Sequence, residues 1–250
     1  MYALVFLLPL IGIYELGTVL VNTDQFALTQ SRVATFTWLM GMAERLGMHR
    51  TLAWVFPGLV VVVILFCWHM VSHHPWRVNL KWIAGMGLES FLLTLPLFAL
   101  GSIMNSSQHF SVVVPLAGGD PNGVKEGLDL YLANLTTSIG AGIYEELVFR
   151  LILIGLVIMV LQDLMKARET AAVFVAVGLS ALLFAGHHYI GFEESHFYSL
   201  QERFSVGSFI FRSMAGVYFA MLLRYRGFGI IAGTHAAYDV LMFSFKHFWG

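Results

Sequence analysis

Charged residues are scarce in this sequence. Only 12% of the 250 residues are Asp, Glu, Lys or Arg, whereas 58% are hydrophobic, and a soluble domain carries about 25% charged residues. The formal net charge is −1, so the chain lacks the basic surplus that is typical of nucleic-acid binding. The composition therefore predicts an all-α protein with several membrane-spanning helices, and it argues against a nucleic-acid partner.

Cysteine is almost absent as well. Cys67 is the only one, and it lies in an apolar run, which excludes an intramolecular disulfide and a cysteine metal cluster. The N-terminus, MYALVFLLPLIGIYELGTVLV, also lacks a basic region. Secretory signal peptides begin with positively charged residues, so we interpret this segment as the first membrane helix rather than a cleaved signal.

Long apolar runs, in contrast, are abundant. A membrane-spanning helix needs about 20 mostly apolar residues. Seven segments meet this requirement, and they are 2–21, 52–71, 82–104, 143–162, 170–188, 205–223 and 228–248. A weaker segment at 33–47 contains Glu44 and Arg45 near its end, and it either spans or lies at the interface. We therefore predict a transmembrane bundle of seven to eight helices, organised as one domain over residues 1–250.

Two of the connecting loops are long. The loop at 105–124 is rich in turn formers, and the loop at 189–204 is acidic and aromatic. With eight spans, both loops fall on the same side, whose basic residues are Arg45, Arg50, Lys125, Arg203 and Lys246. The opposite side carries Arg32, Arg77, Lys81, Lys166, Arg168, Arg224 and Arg226. The positive-inside rule then favours a topology with the two long loops outside the cell. The difference of seven basic residues against five is too small to decide the orientation.

The first of three polar clusters is IYEELVFR at 143–150. A charge in the hydrocarbon core costs at least a few kcal/mol on insertion scales, so such residues are functional hypotheses by default. Glu146 and Arg150 are four residues apart and share a helix face, whereas Glu145 is turned about 100° away. We expect Arg150 to pair with Glu146 and to leave Glu145 to another partner. The alternative is a structural ion pair with an interfacial carboxylate near the helix start.

The other two clusters contain histidines. FAGHH places His187 and His188 at the end of a span, where such side chains can simply reach for interfacial water. THAAYD places His235 and Asp239 four residues apart on one face, where they form a structural hydrogen bond or face a wet cavity. Three helices that each contribute an acid or a histidine can together activate water and hold an oxyanion.

In this order and spacing, the three clusters resemble the CPBP family, which contains CaaX prenyl proteases and bacteriocin-processing membrane proteins. EELVFR matches Glu-Glu-x-x-x-Arg, FAGHH matches Phe-x-x-x-His through Phe184 and His188, and HAAYD matches His-x-x-x-Asn/Asp through His235 and Asp239. The resemblance covers a motif-bearing core at about 140–248. It implies a glutamate-type intramembrane endopeptidase that uses no metal.

The resemblance also implies roles for individual residues. Glu145 corresponds to the general base that activates water, and His188 to the histidine that orients and polarises this water. His235 and Asp239 correspond to the pair that stabilises the tetrahedral oxyanion. The supporting residues are Glu146, Arg150, Phe184 and His187. We expect the four catalytic side chains to converge in one cavity that opens on the long-loop side.

Asp239 departs from the pattern of the many family members that have Asn at this position. An amide donates a hydrogen bond to an oxyanion, but an ionised carboxylate cannot. Either Asp239 is protonated through burial, or it orients His235 and leaves that imidazole as the donor. We favour the second explanation, because the i,i+4 spacing suits it and carboxylates often orient imidazoles.

Other functions are compatible with the same residues. A zinc metalloprotease would use Glu145, His188, His235 and Asp239 as ligands, although the sequence has no His-Glu-x-x-His motif. A non-enzymatic immunity or scaffold protein, or an ion or proton transporter, would also contain buried acids and histidines. For the protease we expect a peptide or protein substrate with a membrane-embedded or lipidated C-terminal region, and a location in a prokaryotic inner membrane.

Overall fold

The computed structural model describes residues 1–21, 34–73, 75–104, 124–193, 196–199 and 204–249. In this part of the chain the helices are α1 (Tyr2–Val21), α2 (Ala34–Arg45), α3 (Arg50–Ser72), α4 (Leu80–Leu92), α5 (Leu95–Ile103), α6 (Val124–Glu145), α7 (Ile154–Met159), α8 (Glu169–His187), α9 (Val206–Arg226) and α10 (Phe228–Trp249). A small antiparallel hairpin pairs β1 (Ile190–Glu193) with β2 (His196–Ser199). The predicted all-α bundle is confirmed, with this hairpin as an addition.

Seven helical stretches among the described residues are long and apolar enough to cross a membrane. They are Tyr2–Val19, Leu52–Ser72, Leu80–Ile103, Tyr131–Leu164, Glu169–His187, Val206–Arg226 and Phe228–Phe245. The weak segment at 33–47 becomes α2, which has 12 residues. A helix of this length extends about 18 Å, too short for a hydrocarbon core of about 30 Å. The chain is therefore an integral membrane protein, and α2 is not among the seven spans found in the described residues.

The membrane topology changes once α2 does not cross. In the count made from the sequence, Arg32 is then assigned to the same side as Arg45 and Arg50. The count of basic residues becomes six on each side, and the charge distribution favours neither orientation. Arg32 itself and most of the loop predicted at 105–124 lie outside the described residues.

The predicted start of the span at 143–162 is wrong. α6, a π-helical segment Glu146–Leu153, α7 and a second π-helical segment Val160–Leu164 follow one another without a break. Glu145 and Glu146 therefore lie in the interior of a long helix, so the alternative of an interfacial carboxylate near a helix start is removed. The boundary was misjudged because the polar residues of the preceding turns, such as Asn134 and Ser138, are buried against other helices.

Close packing of α6 against α10 brings the first and third clusters together. These two helices form the most extensive helix pair in the bundle. A Cβ added to Gly142 would lie 2.6 Å from the carbonyl oxygen of Ala232 and 2.7 Å from the Cβ of Ala236. Small residues let the backbones of membrane helices approach. Because Gly142 lies one turn before the glutamate pair, it sets how closely Glu146 approaches α10.

The N-terminal helices fix the other face of α6. Tyr14 of α1, Phe36 of α2 and Tyr144 of α6 form an aromatic triad with ring centroids 5.0–5.3 Å apart. Glu15 accepts hydrogen bonds from Trp54 Nε1 at 3.1 Å and from the Tyr144 hydroxyl at 3.2 Å. Tyr144 is the neighbour of Glu145 in the chain, so α1, α2 and α3 all hold the backbone that carries the first cluster.

Substitution of Gly142 by Ala should destabilise the bundle by about 1–3 kcal/mol, the usual cost of overpacking. We expect a lower melting temperature in detergent, together with a loss of activity, because α6 and α10 separate. Gly155→Ala is the matched control, since its Cβ would meet nothing within 4 Å and Ala favours a helix more than Gly. Equal melting temperatures for the two variants would contradict this account of the α6–α10 contact.

Candidate active site

Three helices bring the predicted residues together. Glu145 ends α6, His187 ends α8 with His188 directly after it, and α10 carries His235 and Asp239. One side-chain ligand atom from each of Glu145, His187 and His188 lies within 4.8 Å of the other two. Glu145 Oε2 is 3.9 Å from His235 Nε2, which is 3.5 Å from Asp239 Oδ2. We call these five residues the acid–histidine cluster, and the structure brings their side chains together at these distances.

Glu146 lies directly behind this cluster and holds two partners. Its Oε2 is 3.2 Å from Arg150 Nε, as the i,i+4 spacing predicted. Its Oε1 accepts a hydrogen bond of 2.7 Å from His235 Nδ1, a contact between helices that the sequence did not reveal. This bond turns His235 Nε2 toward Glu145 and Asp239. Glu146 therefore orients His235 at a shorter distance than Asp239, the residue that we expected to do so.

Exposure separates the two neighbouring glutamates. Glu146 and Arg150 have no exposed surface, whereas 7% of Glu145 is exposed. His235 and Asp239 retain 5% and 8%, respectively. The ion pair is therefore sealed in the protein, whereas Glu145, His235 and Asp239 each retain a small exposed surface.

The two adjacent histidines share one backbone acceptor. Nδ1 of His187 donates to the carbonyl oxygen of Phe184 at 2.5 Å, and Nδ1 of His188 donates to the same oxygen at 2.9 Å. Each imidazole is thus held by Nδ1, which leaves Nε2 for other partners. Nε2 of His187 lies 3.4 Å from Glu145 Oε1. His187, which we had predicted as a support, is in direct contact with the carboxylate.

Two phenylalanines surround the sealed ion pair and the histidines. The guanidinium carbon of Arg150 lies 3.9 Å from the ring centroid of Phe184, within the range of a cation–π contact. Phe184 also contacts the rings of the two adjacent histidines and of His235. Phe219 of α9 stacks on His235 with the ring planes 18° apart. The motif phenylalanine was recognised in the sequence, but Phe219 carried no signal in a chain with 21 phenylalanines.

Two further residues at the site were missed. Trp38 of α2 places its ring 6.0 Å from that of His187, and the pattern of α2 gave no reason to expect this. Arg212 of α9 is buried, with its guanidinium carbon 5.3 Å from the ring centroid of Tyr189. The signal for Arg212 was present in the sequence, because a charged residue in an apolar span is a functional hypothesis by default, as it is for Arg150.

A metal ion would find a different set of ligands from the predicted one. The predicted zinc ligands were Glu145, His188, His235 and Asp239, whereas the geometry among the described residues groups Glu145 with His187 and His188. Histidine and carboxylate side chains are zinc ligands by type. Histidine ligands commonly donate their other ring N–H to a backbone carbonyl, as both histidines do here.

Comparison with known proteins covers the segment that carries this site. Residues 127–241 match the family described as type II CAAX prenyl endopeptidase, Rce1-like. No curated protein and no solved structure matches the chain significantly. The matched segment contains all three motifs, whereas α1–α5 lie outside it. The match over residues 127–241 thus confirms the resemblance to the CPBP family, in a chain that is an integral membrane protein.

Proposed function

We propose that the chain is a glutamate-type intramembrane endopeptidase that hydrolyses a peptide bond near the C-terminus of a membrane-associated substrate. The main support is that two adjacent glutamates have different partners and different exposure. Glu146 has no exposed surface and is bound by Arg150 and His235, whereas Glu145 retains 7% exposure and faces His187 and His235. One glutamate therefore maintains the structure, and the other is placed for chemistry.

The first step is the activation of water by Glu145. No hydrogen-bond donor among the described residues reaches its Oε2, and a buried carboxylate oxygen without a donor is costly. A water held between Oε2 and His235 Nε2, which are 3.9 Å apart, would supply that donor. Glu145 takes a proton from this water while the water oxygen attacks the scissile carbonyl carbon. His187 and His188 orient the carboxylate and the water.

The second step requires a donor for the oxyanion. His235 donates from Nδ1 to Glu146, and an imidazolium carries a second N–H on Nε2. We assign oxyanion stabilisation to this Nε2–H, with Asp239 at 3.5 Å balancing its charge. Asp239 then need not donate a hydrogen bond itself. Collapse of the tetrahedral intermediate breaks the C–N bond, and Glu145 returns the proton to the leaving amine.

The substrate is inferred from the family and from the membrane bundle. A CAAX sequence is a C-terminal tetrapeptide whose cysteine is prenylated, so we propose a peptide or protein with a lipidated or membrane-embedded C-terminal region. We place the enzyme in a prokaryotic inner membrane. We treat residues 1–250 as one domain, since α1 and α4 both pack against α10.

A zinc protease is the second candidate, favoured by the grouping of Glu145, His187 and His188. Both imidazoles are held at Nδ1, so each presents Nε2. Bound zinc would supply an activated water with a pKa of about 7. Glu145 would then be a ligand rather than the base, and this difference makes the two mechanisms separable.

Replacement of the proposed base should abolish cleavage. Glu145→Gln keeps the shape of the side chain but removes the proton acceptor, so we expect a rate loss of roughly 100- to 10,000-fold at an unchanged melting temperature. The assay is cleavage of a prenylated CAAX peptide by the protein in liposomes. Glu89→Gln is the control, because Glu89 forms a partly exposed pair with Arg226 outside the site. A fully active Glu145→Gln variant would rule out the glutamate mechanism.

The two roles of Glu146 can be separated by a double substitution. Glu146→Ala leaves Arg150 buried without its partner, which should cost about 3–5 kcal/mol and lower the yield of folded protein. Glu146→Leu combined with Arg150→Met removes both charges and should restore the yield. Activity should stay low in the double variant, because His235 loses the acceptor of its Nδ1–H. Recovery of both yield and activity would show that Glu146 does not position His235.

Removal of metal distinguishes the two candidate mechanisms. Treatment with a strong chelator should leave the cleavage rate unchanged, and the purified protein should contain no stoichiometric zinc, because Glu145 acts as a base. His187→Ala should still lower the rate through the lost contact with Glu145. The metal mechanism predicts the opposite result. Chelation would abolish activity, addition of zinc would restore it, and the His187→Ala variant would contain less zinc.

A further inference from the structure

Ser180 forms a contact between helices to which the mechanism above assigns no role. It lies within α8 and has no exposed surface. Its hydroxyl donates a hydrogen bond of 2.7 Å to the backbone carbonyl oxygen of Phe149. Phe149 belongs to the π-helical segment Glu146–Leu153, which directly follows Glu145. The bond therefore joins a side chain of α8 to the main chain of the segment that carries the sealed ion pair.

A hydrogen bond to a main-chain carbonyl affects the shape of a helix. π-helical turns are rare, and they appear mostly inside α-helices and frequently at functional sites. A side chain that inserts into the ladder of main-chain hydrogen bonds distorts a regular helix. Phe149 accepts such a bond near the middle of the π-helical segment. The hydroxyl of Ser180 therefore supports the wide turn at this position and ties it to α8.

Ser180 shares one face of α8 with the residues that reach the acid–histidine cluster. Spacings of four and seven residues place Phe184 and His187 on the same face as Ser180. Phe184 packs on the sealed ion pair, and His187 lies 3.4 Å from Glu145. Of these three contacts, that of Ser180 alone involves the main chain of the facing segment. Ser180 therefore fixes most directly how α8 is aligned with this segment.

The ring of Phe149 extends this constraint to the cluster. Its centroid lies 4.7 Å from that of the His187 imidazole. The backbone of Phe149 is thus held by Ser180, while its side chain packs on the histidine that contacts Glu145. A shift of this backbone would therefore move the surface on which His187 rests.

α9 packs closely against α8 beside Ser180. A Cβ added to Gly216 of α9 would lie 2.9 Å from the Cα of Ala181, the residue that follows Ser180. Small residues allow membrane helices to approach in this way. α8 is therefore in close contact with both α9 and the π-helical segment at this level, and its alignment is sensitive to a change at Ser180.

We propose that Ser180 is a positioning residue that sets the alignment of α8 with the π-helical segment and thereby the distance between His187 and Glu145. The proposal rests on the protease function proposed above, and it adds a residue that acts on the cluster without touching the substrate. Loss of the hydroxyl removes the donor to the Phe149 carbonyl, so the ring of Phe149 and the imidazole of His187 shift together. A displacement of about 1 Å can lower a catalytic rate about 100-fold.

The test compares Ser180→Ala with Ser213→Ala in cleavage of the prenylated CAAX peptide. Ser213 is the matched control, because its hydroxyl donates a bond of 2.8 Å to the carbonyl oxygen of Phe209 within its own helix. We expect Ser180→Ala to lower kcat roughly tenfold to a hundredfold at an unchanged KM, measured on monodisperse protein. Ser213→Ala should keep the wild-type values. A wild-type kcat in Ser180→Ala, or a loss that lies entirely in KM, would overturn the proposal.

A cysteine variant separates the hydrogen bond from packing. Ser180→Cys keeps a side chain of similar size that carries a weaker donor, so its kcat should lie between those of the wild-type protein and Ser180→Ala. It also provides a second measurement if the alanine variant gives little folded protein. A kcat for Ser180→Cys below that of Ser180→Ala would assign the effect to packing and contradict the proposal.

A spectroscopic measurement separates this proposal from the proposed function. The protein is prepared with isotope-labelled histidine, and the imidazole signals of His187 in the NMR spectrum are identified by their absence in His187→Ala. These signals should shift in Ser180→Ala and stay in place in Ser213→Ala, even if the protein cleaves no peptide and the protease function fails. Unchanged His187 signals in Ser180→Ala overturn the proposal, even if the protease function holds.

Discussion

The sealed ion pair of Glu146 and Arg150 is the interaction on which the rest of the site depends. Neither residue has exposed surface, and isolated charges in such surroundings are strongly destabilising. Glu146 compensates Arg150 within its own helix and holds His235 of α10 at 2.7 Å. The need to satisfy one buried carboxylate therefore joins two helices and orients an imidazole. The ring of Phe184 in α8 packs on the guanidinium of Arg150, so α8 also contacts this ion pair.

Two adjacent acids have different surroundings because they leave the helix in different directions. Glu145 ends α6, and Glu146 begins a π-helical segment, a local geometry that is frequent at functional sites. Glu146 points into the protein, where Arg150 and His235 use its oxygens. Glu145 points toward His187 and His188, and its Oε2 has no donor among the described residues. A carboxylate in this state is suited to bind water and accept its proton.

The helices outside the family match contribute to the site as well. Residues 127–241 carry the motifs, but Tyr144 is held by Tyr14, Phe36 and Glu15 from α1 and α2. Trp38 of α2 also packs edge-on against His187. The motif-bearing helices therefore depend on the N-terminal part of the chain for the position of Glu145. Although α2 has only 12 residues, it lines one side of the site.

The sequence by itself determined the membrane class, the three motifs and the pairing of Glu146 with Arg150. These features depend on composition or on spacing along one helix, where the 3.6-residue period fixes which side chains share a face. The start of the helix was wrongly predicted at residue 143, because polar residues that are buried between helices have the same composition as a loop. The charge of Arg212 was visible, but its contact with the ring of Tyr189 was not.

Only the tertiary structure decided which residues meet between helices. His187 contacts Glu145 and Glu146 contacts His235, although spacing along the chain could not choose between neighbouring candidates. Such contacts depend on how closely two helices approach, and Gly142 controls this distance for α6 and α10. The roles of Phe219 and Trp38 have the same origin. A helix period defines a face, but the partner of that face is set by packing across the bundle.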